Sequence, residues 1–236
     1  MRDSMWPSYP ACIALWLVGR YEPVTDGPAA ATGLESGPVN EGSKPQRDAA
    51  VMLERALAEW GGQEDLWIFG YGSLIWRPDF DFAERRPARV HGWHRALKMW
   101  SRINRGTPEQ PGLVFGLLSG GCCRGVVFRI AREHGGATLA RLWSREMPSA
   151  VYDPRWLAAH TPQGPVRALA FTLSRRSPSH TGELGEEELR AIFAAAAGIY
   201  GTTRDYADRT LEELKRHDIR DRNLERLLRL IRRGQP

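Results

Sequence analysis

Cysteine is scarce in this 236-residue chain: only Cys12, Cys122 and Cys123 are present. An odd count with one vicinal pair offers neither a disulfide framework nor a C-x-x-C metal spacing. Adjacent cysteines rarely meet disulfide geometry with each other. Reduced thiols in a cytoplasmic protein are the simplest reading. Long apolar runs are missing too. A membrane span needs roughly 18 such residues. The longest candidate, ACIALWLVG at 11–19, is about half that. No small-residue cleavage site follows it, so it reads as neither anchor nor signal peptide. Lysine is rare, and the cations are nearly all arginine, interleaved with Asp and Glu as in EELKRHDIRDRNLERLLRLIRR. The formal charge is nevertheless +5 and the pI about 9.4. The interleaving favours a solvated helix face over nucleic-acid binding.

The common catalytic signatures are also missing. There is no H-E-x-x-H and no G-x-S-x-G. His91 and His94 lie three apart in HGWH. On a strand that spacing sends them to opposite faces, which argues against a shared metal. GYGSL begins like a dinucleotide fingerprint, but Ile75 stands where its third glycine belongs and Pro78 where the helix should be starting. A thiol nucleophile at Cys122 or Cys123 has only Arg124 nearby to lower its pKa.

What is present supports a core. Hydrophobic residues make up 42% of the chain, with nine tryptophans, which is globular rather than disordered composition. Residues 1–47 differ, with prolines and glycines spread throughout. Disorder is expected over 21–46. A helix is expected from near Asp48 to the stop at Gly61-Gly62, with Met52 just inside it as an alternative start of the chain. From Leu66 onward the sequence reads as a compact domain. LWIF is a buried strand, and ARVHGW and RALKMWS flank a glycine joint. GLVFGLL and VVFRI read as a hairpin around SGGCCRG. ATLARLWSRE has helical spacing and VRALAFTL is a later strand. EEELRAIFAAAAG is a helix with buried stripe Leu189, Ile192, Phe193 and Ala196. A last helix carries Leu224, Leu227, Leu228 and Ile231, capped by Asp221. Strands first, with helices inserted and trailing, predict an α+β domain with a mainly antiparallel sheet or barrel. The division expected is an extension over 1–60 and a catalytic domain over 61–236.

Two features carry candidate chemistry. WIFGYGSLIWRP, at 67–78, leaves a buried strand through a bare glycine loop and re-buries at once. It is either a tight turn or backbone held open for a ligand. Glu146 ends an apolar helical run beside Trp143 and Met147. A carboxylate there meets the negative end of the helix dipole. Partial burial would also raise its pKa, as a general base near neutral pH requires. Spacing alone favours a surface Glu paired with Arg145 or Arg141.

Five blocks together carry a resemblance: WIFGYGSLIWRPDF, HGWHRALKMWS with RGTPEQPGLVFGL, GGCCRGVVFRI, LWSREM with VYDPRW, and YGTTRDYADRTLEELKRHDIRDRNLERLL. In this order the chain, over about 65–231, resembles the ChaC family of glutathione-specific γ-glutamylcyclotransferases. The resemblance implies a small mixed, mainly antiparallel β-barrel with surrounding helices. It implies cleavage of glutathione to 5-oxoproline and Cys-Gly with no cofactor and no metal. It also implies that Gly70, Tyr71, Gly72, Ser73, Leu74 and Ile75 hold the γ-glutamyl unit, that Glu146 is the catalytic acid/base, and that Tyr200 lines the site. Arg102 or Arg105 could meet a substrate carboxylate, or be surface arginines. Departures from the family pattern fall at Cys122, Ala150 and Ala207, outside the loop and Glu146. The expected partner is a small molecule, not nucleic acid or a membrane, and the expected state is a monomer or weak dimer. The alternative is a non-catalytic binder on the same fold, which would have no reason to keep a base at Glu146.

Overall fold

The computed structural model describes residues 47–232. The disorder expected over 21–46, the apolar stretch at 11–19 and Cys12 lie outside the described residues. Helix α1 (Ala49–Trp60) starts on Asp48, whose carboxylate accepts from the N–H groups of Ala50 and Val51. It ends on Gly61 in the left-handed region at φ 75°, a conformation glycine adopts without penalty. Arg47 donates to the carbonyls of Ala150 (2.7 Å) and Tyr152 (2.6 Å). Residues just ahead of Met52 are therefore part of the folded unit. A chain begun at Met52 would lose both this clamp and the helix cap.

Five strands close into a barrel in the order β1-β3-β2-β4-β5: β1 (Leu66–Gly70), β2 (Glu84–Ser101), β3 (Gly112–Ile130), β4 (Asp153–Thr161) and β5 (Gly164–Thr172). All pairs are antiparallel except β1 with β5, which closes the barrel through Trp67 opposite Ala168 and Ile68 opposite Leu169. The mixed, mainly antiparallel barrel expected from the sequence is thus observed. Closure leaves no open sheet edge. Leu66, Ile68, Phe69, Phe128 and Phe171 on its strands are all essentially inaccessible to solvent, packed on one face of the wall or the other.

One expectation is corrected. SGGCCRG is not a hairpin turn but the middle of β3, paired with β2 on both sides of a bulge at Gly120 and Gly121. Gly120 and Gly121 take positive φ (96° and 76°), and Gly92 does so on β2 (78°), where the register slips between His91 and Trp93. The glycines bend two long strands around the barrel. Glycine counts as a turn signal only where the backbone reverses, and here it bends. Strand β4 was missed, because Pro154 and weak alternation mask it.

Helix α2 (Arg132–Glu146) starts earlier than the ATLARLWSRE pattern, running through Gly135 and Gly136. A Cβ at Gly135 would lie 2.3 Å from the Trp60 indole, so this glycine seats α1 on α2. The Trp143 indole N–H donates to the Ala49 carbonyl at 2.7 Å. Helix α3 (Glu186–Ala195), the short hairpin β6 (Ala197–Gly198) and β7 (Gly201–Thr202), α4 (Thr203–Arg216) and α5 (Arg222–Arg232) follow. Thr202 and Asp205 form a reciprocal capping box on α4, and Asp221 caps α5 through Leu224 N–H at 3.0 Å.

Arg95 of β2 ties these parts together. Its side chain is 3% exposed and pairs with Asp221. It also donates to the carbonyls of Tyr71 (2.8 Å) and Arg124 (3.1 Å). Removing one member of a buried pair typically costs about 3–5 kcal/mol. Arg95→Met should lower stability by about that amount in urea denaturation. Asp221→Asn keeps a capping side chain. The Arg95→Met/Asp221→Asn protein should therefore lose less than the sum of the two single changes, and an additive result would show that the pair is not coupled.

Candidate active site

The loop leaving β1 is built by close packing. A Cβ at Gly70 would sit 3.1 Å from the Phe128 ring, and one at Gly72 would sit 2.7 Å from the Tyr206 hydroxyl. Glycine at 72 is thus demanded by a neighbour. The Tyr71 hydroxyl donates to the Phe171 carbonyl at 2.7 Å, and the Tyr71 carbonyl receives Arg95. Ser73–Ile75 form one 3-10 turn whose cap position, Gly72, carries no side chain to bond its first donors. The leading N–H groups of a helical turn have no partner inside it. Those of Ser73 and Leu74 donate to no protein acceptor among the described residues. The loop's exit is pinned: Arg77 N–H returns to the Ser73 carbonyl at 2.7 Å, and the Trp76 indole donates to Thr210 of α4 at 3.2 Å.

Glu146 is the last residue of α2, with its side chain 15% exposed. Burial pushes its carboxyl above the usual carboxylate range; Arg145 opposes this and Asp79 adds to it. Arg145 Nε lies 3.0 Å from Glu146 Oε1. The same guanidinium donates to Ser73 Oγ at 3.2 Å and pairs with Asp79 at 2.8 Å. One cation therefore links the candidate base to the glycine loop.

Tyr71, Gly72, Ser73, Leu74 and Glu146 line one pocket, with Phe115, Tyr152, Phe171 and Tyr206 completing it. Gly70 and Ile75 lie behind the loop and shape it. Tyr200 does not reach the pocket. It occupies the two-residue turn between β6 and β7, half-exposed, with Arg77 stacked 4.8 Å above its ring. Arg105 is buried with its guanidinium 5.2 Å from the Tyr206 ring, and its N–H donates to the Tyr200 carbonyl. Arg102 is exposed. Neither arginine lines the pocket.

Sequence reasoning missed Tyr152 and Tyr206. Tyr206 follows the α4 capping box by one residue, and Tyr152 precedes β4 by one. Element ends next to Gly and Pro punctuation were the only available signal. Burial holds the Tyr71 and Tyr152 phenols well above their ordinary pKa and pushes Tyr206 up to about 12. All three therefore stay protonated, as hydroxyls able to donate. Among the described residues no group of three His, Cys, Asp or Glu is placed to hold a metal ion.

The model of the ChaC-like protein family matches residues 66–234. A relative from Escherichia coli (strain K12) named glutathione-specific γ-glutamylcyclotransferase is 34% identical over 180 residues, covering 76% of this chain and 78% of its own. A Mus musculus relative, glutathione-specific γ-glutamylcyclotransferase 1, is 32% identical over 171 residues, covering 70% of this chain and 77% of its own. A crystal structure of a γ-glutamylcyclotransferase specific to glutathione from yeast matches with a TM-score of 0.67 at 21% identity, covering 73% of this chain and 98% of that one. At that identity it shows the fold.

Two outcomes follow from the pocket's packing and charge. Gly72→Ala should cost about 1–3 kcal/mol by overpacking in urea denaturation. Adding Tyr206→Phe, which removes the clashing oxygen, should recover part of that loss. Recovery of nothing would place the strain elsewhere. Glu146 has a folded pKa raised above its ordinary 4.5. Its ionisation therefore costs stability as pH rises from that value through the folded pKa. Glu146→Gln should melt higher than the parent at pH 8, and the gap should close as pH falls toward 4.5. A gap independent of pH would deny the burial of the charge.

Proposed function

The chain belongs to the ChaC-like protein family, and on that premise we propose that it is a glutathione-specific γ-glutamylcyclotransferase, with Glu146 as general acid/base. The observation that carries this reading is a buried carboxylate of raised pKa sharing one small pocket with uncommitted loop N–H groups. The substrate supplies both reacting groups. The α-amine nitrogen attacks the γ-amide carbonyl carbon, a five-membered ring closes, and the bond to the cysteine nitrogen breaks. The products are 5-oxoproline and Cys-Gly. Intramolecular reactions held in the right geometry reach effective molarities of about 10⁵–10⁸ M, so the protein's main task is to fold the glutamyl chain and manage one proton.

A free α-amine has a pKa of about 8 and is mostly protonated at neutral pH. Glu146, as carboxylate, takes its proton and later returns one to the departing amine, so protons balance over the cycle. A raised pKa narrows the mismatch between base and amine. The N–H groups of Ser73 and Leu74, and the Ser73 hydroxyl, hold the α-carboxylate or support the oxyanion of the tetrahedral intermediate. Losing one such donor costs on the order of 3 kcal/mol of barrier. The buried hydroxyls of Tyr71, Tyr152 and Tyr206 keep the pocket's polar lining neutral. Gly70 and Ile75 serve the loop's shape, and Tyr200 stays outside the pocket, stacked under Arg77.

No cofactor or metal is required by this scheme. The reading places the protein in the cytoplasm, where free thiols such as Cys122 and Cys123 stay reduced, acting as a monomer or weak dimer. Among the described residues no helix is long and apolar enough to cross a membrane.

Incubation with glutathione should yield equimolar 5-oxoproline and Cys-Gly, and γ-Glu-Ala should be a poor substrate. Glu146→Gln should fold, bind glutathione and lose turnover by about 10²–10⁴. Near-parental turnover would remove Glu146 from the role of base. The acid limb of kcat/KM in the parent protein should fall above the ordinary carboxylate value of 4.5, because activity requires the ionised form and its pKa is raised.

A further inference from the structure

A second cavity, of about 500 Å³, opens where β2, β3 and the start of α5 meet. Five arginines line it, Arg89, Arg95, Arg124, Arg220 and Arg222, against one carboxylate, Asp221. That carboxylate is already spent. One oxygen pairs with Arg95 and the other accepts the Leu224 N–H. Arg95 forms the buried floor and is fully engaged. The walls are therefore four exposed or half-exposed guanidiniums. Only Arg220 has a carboxylate within reach among the described residues, Glu225 at a loose 3.8 Å.

Elsewhere in the described residues some arginines are paired closely, while others, such as Arg102 and Arg141, stand singly on the surface. Arg129 takes Asp65 at 2.6 Å, Arg190 takes Glu186 at 2.6 Å and Arg145 takes Asp79 at 2.8 Å. What sets the groove apart is that its weakly paired arginines are gathered in one concavity, and at a cost. Arg89 and Arg124 are direct cross-strand partners in the β2–β3 register. Like charges in that position destabilise a sheet. Arg220 and Arg222 flank the cap of α5 and add two more cations at the helix end whose dipole is also positive. A concave wall of one charge sign concentrates the potential at its centre. Guanidinium forks match pairs of phosphate oxygens. No Trp, Tyr or Phe lines the cavity, so it offers no platform for stacking bases, as single-stranded nucleic-acid sites do. The cationic side chains gather around one open concavity rather than along a stripe that could follow a polymer backbone.

We propose that this groove is a binding site for a small oligophosphate, a di- or triphosphate group, either free or carried on a nucleotide. The site is distinct from the pocket around Glu146 and owes nothing to the reaction assigned there. Its anion would relieve the Arg89–Arg124 repulsion, and it would sit over the guanidinium that holds the Tyr71 carbonyl.

Isothermal titration calorimetry with inorganic tripolyphosphate tests this on the full chain. Saturable one-to-one binding is expected, weakening as salt is raised from 50 to 200 mM. Arg124→Glu and Arg222→Glu should each weaken it at least tenfold. Arg124→Glu should not lower the melting temperature, because it places an opposite charge across from Arg89. Binding should survive Glu146→Gln, and in that variant saturating glutathione should not displace tripolyphosphate. ATP equal to tripolyphosphate would mean that the phosphate group suffices. Tighter ATP would mean a nucleotide-borne group; both results support the site. The proposal is overturned by absence of saturable binding, by binding indifferent to both charge reversals, or by displacement with glutathione. It is also overturned if a DNA duplex binds while tripolyphosphate does not.

Discussion

The guanidinium of Arg95 is the contact on which the rest of the arrangement depends. It crosses the barrel wall from the middle of β2 and holds the Tyr71 carbonyl, the Arg124 carbonyl and the Asp221 carboxylate. The glycine loop, a barrel strand and the last helix are thereby fixed to one group. A charge this buried is tolerated only when its hydrogen bonds are met by well-placed acceptors. Those acceptors are backbone carbonyls and a helix-capping carboxylate, which cannot move without disturbing their own elements. The loop after β1 is therefore aimed from behind. Tyr71 is held at both ends, by Arg95 at its carbonyl and by the Phe171 carbonyl at its hydroxyl. Only then does Gly72 come close enough to Tyr206 that no side chain could stand there.

The same burial that fixes the loop sets the chemistry. Desolvation is the largest cause of the raised pKa at Glu146 and at Tyr71, Tyr152 and Tyr206. The effect differs by group. It keeps three phenols protonated, and it makes one carboxylate more basic. Arg145 moderates the second effect, since it lies against Glu146 but also answers to Asp79 and Ser73. A cation committed to Glu146 alone would drag its pKa down and weaken it as a base. Sharing that cation with Asp79 leaves burial in control.

Much of the architecture was legible in the sequence. The caps at Asp48 and Asp221 are side-chain chemistry written next to the helices they start, and the apolar stripes of α3 and α5 follow helical spacing, whereas α4 and its Thr202 cap went unread. The loop 70–75 and Glu146 were legible as a pair only through the family pattern, because neither has a local signature that excludes a turn or a surface ion pair. SGGCCRG was misread because positive φ at Gly120 and Gly121 serves a bend that depends on the partner strand. The motif sets Tyr200 at the site, whereas the Ile199–Tyr200 turn holds it outside the pocket, and Tyr206 of the next helix lines it. Side chains that meet between neighbouring strands, such as Tyr152 with Phe171, leave no trace in sequence spacing.

The pocket's size limits how a substrate can enter. Its enclosed space is about 20 Å³, room for about one water. A γ-glutamyl unit has many times that volume, so its bulk must lie in the open mouth or displace a wall. The walls are not equally free. Tyr71 and Gly72 are locked from behind, and Tyr206 is held by the Phe115 N–H at 3.2 Å and by its place in α4. Glu146 and Ser73 are joined through Arg145, a long side chain on the solvent side with several alternative acceptors in Asp79 and the carbonyls of Arg77 and Pro78. Arg145 can give up Ser73 and Glu146 without being left unpaired. Its swing is thus the low-cost way to widen the site. The same swing would remove the cation from Glu146 and raise its basicity further, and in the mechanism proposed above a substrate ammonium would replace that charge.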